Sequence, residues 1–118
     1  MPRQLSTDVG KIVLSDEVIA TIAGAAASEC YGIVGMSSGR FRDGIATILG
    51  RENVSRGVEV DTSGEGIKLT LRIIVGYGTR ISEVAHNVID KVSYALEQAT
   101  GIPVEKVVVK VDGVYVRE

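Results

Sequence analysis

Nine apolar residues between Ile81 and Ala99 limit what this chain can become. Ile81, Val84, Ala85, Val88, Ile89, Val92, Ala95, Leu96 and Ala99 fall within about 140° of arc at the helical period. Glu83, Asp90, Tyr94 and Glu97 occupy the opposite side. An amphipathic helix of this length must lay its stripe on another apolar layer. Thr79 or a neighbour begins the helix, and Thr100–Gly101 with Pro103 ends it.

The layer beneath it is predicted from the preceding segment. Ile67, Leu69, Leu71, Ile73 and Val75 alternate with Lys68, Thr70, Arg72 and Ile74, the pattern of a half-buried strand with one wet face. Gly57–Asp61 reads as its partner, joined through the turn-rich 62–66. Val107, Val109 and Val111 face one way in a last long strand, with Lys106 and Lys110 facing the other. Asp112–Gly113 then predicts a hairpin turn into 114–116. Short strands are expected at Gly10–Leu14 and Ile33–Met36. Between them Ser15 caps a helix that carries Asp16 and Glu17 in its first turn and stops at Gly32. Val18, Ile19, Ile22, Ala25 and Ala26 are expected to form its apolar face. The least regular stretch, 37–56, is expected to hold a short helix at Ile45–Leu49. The fold expected is α+β: two helices on one face of a mixed, mainly antiparallel sheet, in the order β-α-β-β-β-α-β. The 118 residues suit one domain, 1–118.

With no Trp and Phe41 as the single Phe, the core must be aliphatic. A net charge of −2 lacks the positive excess of general nucleic-acid binders. No leader pattern or membrane-length apolar run is evident, so a cytoplasmic chain is expected.

The residues that could carry chemistry are few. Cys30 and His86 are the only thiol and the only imidazole. Cys30 lies at a helix C-terminus, where the dipole disfavours a thiolate. His86 falls at or beyond the rim of the apolar stripe. One Cys and one His do not make a structural zinc site, so no metal, cofactor or catalytic set is expected. Glu83, Asp90 and Glu97 read as a solvated acidic stripe. Gly76–Tyr77–Gly78 joins a strand to a helix but lacks a third glycine and a Walker lysine, which favours a tight turn over a phosphate site. Glu29 sits on the apolar side of the first helix, where a rim position reaching water is favoured over a partner contact or buried ion pair. Arg40, Arg42, Arg51 and Arg56 are half of the arginines, and their forks suit phosphate or carboxylate. These four and Glu29 are the candidate partner or anion contacts.

The order and spacing of several short motifs resemble the bacterial alkaline-shock protein family, in its short single-domain branch. They are Gly10–Lys11–Ile12 with Val18–Ile19–Ala20, Glu29 with Tyr31–Gly32–Ile33–Val34–Gly35–Met36, and Gly57–Val58–Glu59–Val60. Val75–Gly76–Tyr77–Gly78 with Glu83–Val84–Ala85, then Thr100–Gly101 and Val107–Val108–Val109, continue the match. The resemblance implies a non-enzymatic protein linked to cell-envelope homeostasis and the stress response. It also implies protein partners: longer relatives self-associate at the membrane, held there by a separate small membrane protein, and short relatives are associated with a dihydroxyacetone-kinase-like partner. It supplies no catalytic residues. The reading is an interaction or scaffold protein; the alternatives are a nucleic-acid-binding module using Arg40–Arg56, and a small ligand carrier using Glu29, Tyr77 or His86.

Overall fold

The alternating segment forms the central strand of the molecule. A computed structural model describes residues 3–42 and 45–116. It runs β1 (Arg3–Ser6), β2 (Lys11–Leu14), α1 (Asp16–Ser28), β3 (Ile33–Arg42), β4 (Ile45–Ile48), a 3-10 segment (Arg51–Gly57), β5 (Val58–Asp61), β6 (Ile67–Gly76), α2 (Ile81–Thr100) and β7 (Val104–Tyr115). β5 and β3 lie one after the other along one edge of β6, both antiparallel, opposite Lys68–Leu71 and Ile73–Val75. β7 runs parallel along the other edge. A parallel return needs a crossover, and α2 is that crossover. β4 pairs with β3, while β1 and β2 form a separate two-stranded sheet. The expected α+β fold, with helices against a mainly antiparallel sheet, is the one observed.

Ile67, Leu69, Leu71, Ile73 and Val75 of β6 meet Ile19, Ala23 and Ala27 of α1 and Val84, Val88, Val92 and Leu96 of α2 in one aliphatic core. The α2 stripe is narrower than its periodicity suggests: Ile81 and Ala99 are exposed, and burial follows every fourth residue from Val84 to Thr100. Gly101 closes the helix with φ 73°, a conformation that costs glycine little. Ser15 Oγ accepts the Val18 amide and caps α1, as expected.

Four details differ from the sequence reading. Val18 and Ala25 of α1 are exposed, while Ala20, Ala23, Gly24 and Ala27 are buried. The smallest side chains face inward because a Cβ at Gly24 would stand 2.8 Å from the Val54 carbonyl oxygen. The expected helix at Ile45–Leu49 is instead strand β4, held by the backbone of β3. Asp112–Gly113 makes no hairpin. β7 continues beside β6, and the register steps from Ile73↔Val111 to Ile74↔Gly113, so Asp112 is absorbed as a bulge. Ile74, expected on the wet face, is buried. Beyond Met36 the β3 strand leaves the edge of β6 and passes over Arg72 and Asp112, which covers that end of the sheet.

Candidate interaction surface

The face of the sheet turned away from the helices is open over most of its length. Its register aligns Asp61, Lys68 and Lys106 in one row, Glu59, Thr70 and Val108 in the next, then Arg72 with Lys110. A shallow hollow of about 370 Å³ runs between β5, β6 and β7, with Glu59, Lys68, Thr70, Lys106 and Val108 among its lining. Lys68 Nζ lies 3.8 Å from Glu105 Oε1. Arg72 reaches Asp112 at 3.4 Å and Glu59 at 4.0 Å. Hydrogen bonds from the Ser63 hydroxyl and amide hold the Asp61 carboxyl below its ordinary pKa. Lys106 and Lys110 are exposed and form no ion pair among the described residues. Both flank the half-buried Val108, so the row ends in two uncommitted cations around an apolar spot.

Where β3 crosses this face, a polar cluster is sealed in. The Ser37 hydroxyl donates to Asp112 Oδ2 at 2.9 Å and accepts the Gly39 amide at 3.1 Å. Ser37 is fully buried, and the side chains of Asp112 and Arg72 are 9% and 25% exposed. Gly39, at φ +80°, packs so closely on the Arg72 guanidinium that a Cβ would stand 3.0 Å from Nε. This cluster escapes a local reading, because its members are 35 and 40 residues apart and Asp112–Gly113 carries a turn signature. Every polar group in it is engaged within the fold, so it anchors the crossing of β3.

The residues singled out from sequence do not converge. Glu29 is exposed at the C-cap of α1 and meets Lys91 Nζ of α2 at 3.6 Å, a surface ion pair at the rim. Arg56 is exposed beside a hollow of about 410 Å³ also lined by Asp16, Glu17, Asn53 and Ser55. Two carboxylates there oppose a phosphate. Arg40 and Arg42 are on β3 and Arg51 opens the 3-10 segment; their side chains lie outside the described residues. Cys30 is half-buried and donates weakly to the Ala26 carbonyl at 3.6 Å. Burial pushes its pKa up, with Lys91 acting the other way and Glu29 adding to the rise. His86 is exposed, with Nε2 3.5 Å from Asp90 Oδ2. In the acidic stripe Glu83 also pairs, with Arg80 at 3.8 Å, and Glu97 accepts the Val104 amide. The glycine turn spends two of its amides internally: Gly76 N–H donates to the Gly32 carbonyl and Tyr77 N–H to the Tyr115 carbonyl. Among the described residues no group of three or more His, Cys, Asp or Glu could hold a metal. No described helix is long and apolar enough to cross a membrane.

A sequence profile of the alkaline-shock protein 23 family, described as having a cell envelope-related function, matches residues 4–116. The chain belongs to this family. It is 52% identical over 117 residues to the uncharacterized protein YloU of Bacillus subtilis (strain 168), covering 98% of each chain. It is 32% identical to the uncharacterized protein YqhY of the same organism, covering 92% of this chain and 79% of that one. Among solved structures it is similar to the MamM CTD in a copper form, at 17% identity and a TM-score of 0.49 over 86% of both chains. The MamM CTD in a nickel form gives a TM-score of 0.48 at 17% identity, over 86% of this chain and 99% of that one.

Proposed function

We propose that this alkaline-shock family chain is a non-enzymatic interaction protein of cell-envelope homeostasis, whose working surface is the open sheet face between β5 and β7. The observation that carries the reading is the pair of unmatched cations, Lys106 and Lys110, around Val108 on an uncovered face. An acidic protein surface complements that arrangement, since opposite charge steers encounter and apolar contact at the centre holds the complex. The scattered thiol, imidazole and carboxylates support a binding role in preference to catalysis. The chain works in the cytoplasm and reaches the membrane through its partner, with a dihydroxyacetone-kinase-like protein as one partner the family resemblance suggests.

A photo-reactive residue in place of Val108 tests this in producing cells. The expected result is a small set of cross-linked proteins that disappears when Lys106→Glu and Lys110→Glu are added. Cross-links that survive the double substitution, or that match those from a probe at Asp90 on α2, overturn the choice of surface.

A further inference from the structure

α1 is apolar on more sides than the fold covers. From Val18 to Ser28 it carries no charged residue, a composition that suits a helix buried all round. α2, the 3-10 segment and strands β3 and β5 pack against it, which leaves its outward side bare. There Val18 is 44% exposed, Thr21 and Ala25 are exposed and Ile22 is half-buried. These positions recur at the three- and four-residue spacing of a single ridge.

A hollow lies at each end of the ridge. One of about 320 Å³ is lined by Glu17, Val18, Thr21 and Ile22 with Ser15. The other, about 340 Å³, is lined by Ala25, Ser28, Glu29 and Val54. Each includes one glutamate. Glu17 is exposed and forms no ion pair among the described residues, and Glu29 is exposed beside Lys91. The surrounding charge has one sign: α1 with its cap and α2 carry Asp16, Glu17, Glu29, Glu83, Asp90 and Glu97 against Lys91 as their one lysine or arginine. Such a surface repels nucleic-acid phosphates and anionic lipid headgroups. It complements a basic protein segment. A helix face also offers no free backbone to an extended strand, whereas a ridge with hollows at its ends accepts a second helix.

We propose that the outward ridge of α1 seats a basic amphipathic helix of a partner protein. Glu17 and Glu29 are twelve residues apart, about 18 Å along the helix axis. Two basic residues eleven positions apart on a partner helix stand about 17 Å apart and within about 20° of one face. Their aliphatic stems cover the hollows while their charged ends reach the two carboxylates. Apolar side chains between them rest on Val18, Ile22 and Ala25. The contact is small, so binding is weak and salt-dependent. The ridge lies on the opposite side of the sheet from Val108, so this surface and the sheet face act independently.

An alanine-based helical peptide, blocked at both ends, with lysines eleven residues apart and leucines between them on the same face, is the probe. Fluorescence anisotropy at low salt follows its binding to the full chain. Saturable binding is expected, weakened at least about tenfold by Ala25→Arg, which adds bulk and positive charge at an exposed position. Glu17→Lys with Glu29→Lys should weaken it as much. A peptide with glutamates in place of the two lysines should bind that double variant at least about tenfold more tightly than it binds the natural chain. This charge exchange separates a direct contact from damage to the fold. Glu105→Lys, the same change of charge on β7, and Lys106→Glu with Lys110→Glu should each shift the affinity of the lysine peptide less than twofold. In producing cells, a photo-reactive residue at Thr21 should cross-link to a helical segment of another protein with basic residues about three turns apart. Binding that does not saturate, that Glu105→Lys weakens as much as Ala25→Arg does, or that the charge exchange fails to restore overturns the inference. So does a Thr21 cross-link to a lipid, to a second copy of the chain or to an acidic segment.

Discussion

Around Asp112 a carboxylate, a guanidinium and a hydroxyl are packed beneath the β3 crossing, and removing the carboxylate strands the other two. Asp112→Ala leaves the fully buried Ser37 hydroxyl without its acceptor and Arg72 without its nearer carboxylate. Since Arg72 keeps some contact with water, the expected loss is about 2 kcal/mol, smaller than for a fully buried pair. Urea unfolding measures it, and a loss under about 0.5 kcal/mol would mean that the cluster does not anchor the crossing. The bulge that makes room for Asp112 depends on a strand 40 residues away, so the local Asp–Gly signal is overridden by pairing with β6. Cys30 supplies a second test at this scale. Its raised pKa favours the neutral thiol, so alkylation at pH 8 should run slower than for a free cysteine and keep accelerating above pH 9. A rate already on a plateau near pH 7 contradicts that environment.

At the scale of elements, α1 shows how close packing selects small residues. Gly24→Ala improves helix propensity by roughly 0.5–1 kcal/mol, yet its methyl would press on the Val54 backbone. The net expectation is a destabilisation of about 1–2 kcal/mol, read from chemical denaturation. Gly101→Ala should cost about 1 kcal/mol for a different reason, the left-handed backbone at the end of α2. Both helices, the central strand and the Ser15 cap are legible from periodicity and capping chemistry, because those signals are local. The inward face of α1 is misread because nearly every position on it is apolar or small, and such a helix has no single face until neighbours choose one. The stretch at 45–48 has the same ambiguity: a short apolar run between glycines fits helix or strand, and the open edge of β3 decides it.

For the whole molecule, the sheet has one face filled by helices and the other left to polar rows, a crossing strand and two unmatched lysines. The net charge is −2, without the positive excess that phosphate neutralisation needs, so at low salt a single-stranded RNA is expected to bind only weakly and without saturation. A saturating, salt-sensitive shift lost on neutralising Arg40, Arg42, Arg51 and Arg56 would favour the nucleic-acid alternative. A single Val9→Asp substitution should leave monomer stability within about 0.5 kcal/mol, since that side chain touches nothing in the monomer fold. The sequence by itself determined the class of fold, the two helices and the β6 alternation from Ile67 to Ile73. These follow from patterns within a few turns or pleats of chain. Only the tertiary structure decided that β7 runs straight past Asp112, that β3 seals Arg72 beneath it, and that β1 and β2 form a sheet of their own. Those outcomes depend on which distant strands pair with β6 and in what register, a choice made by long-range pairing and packing.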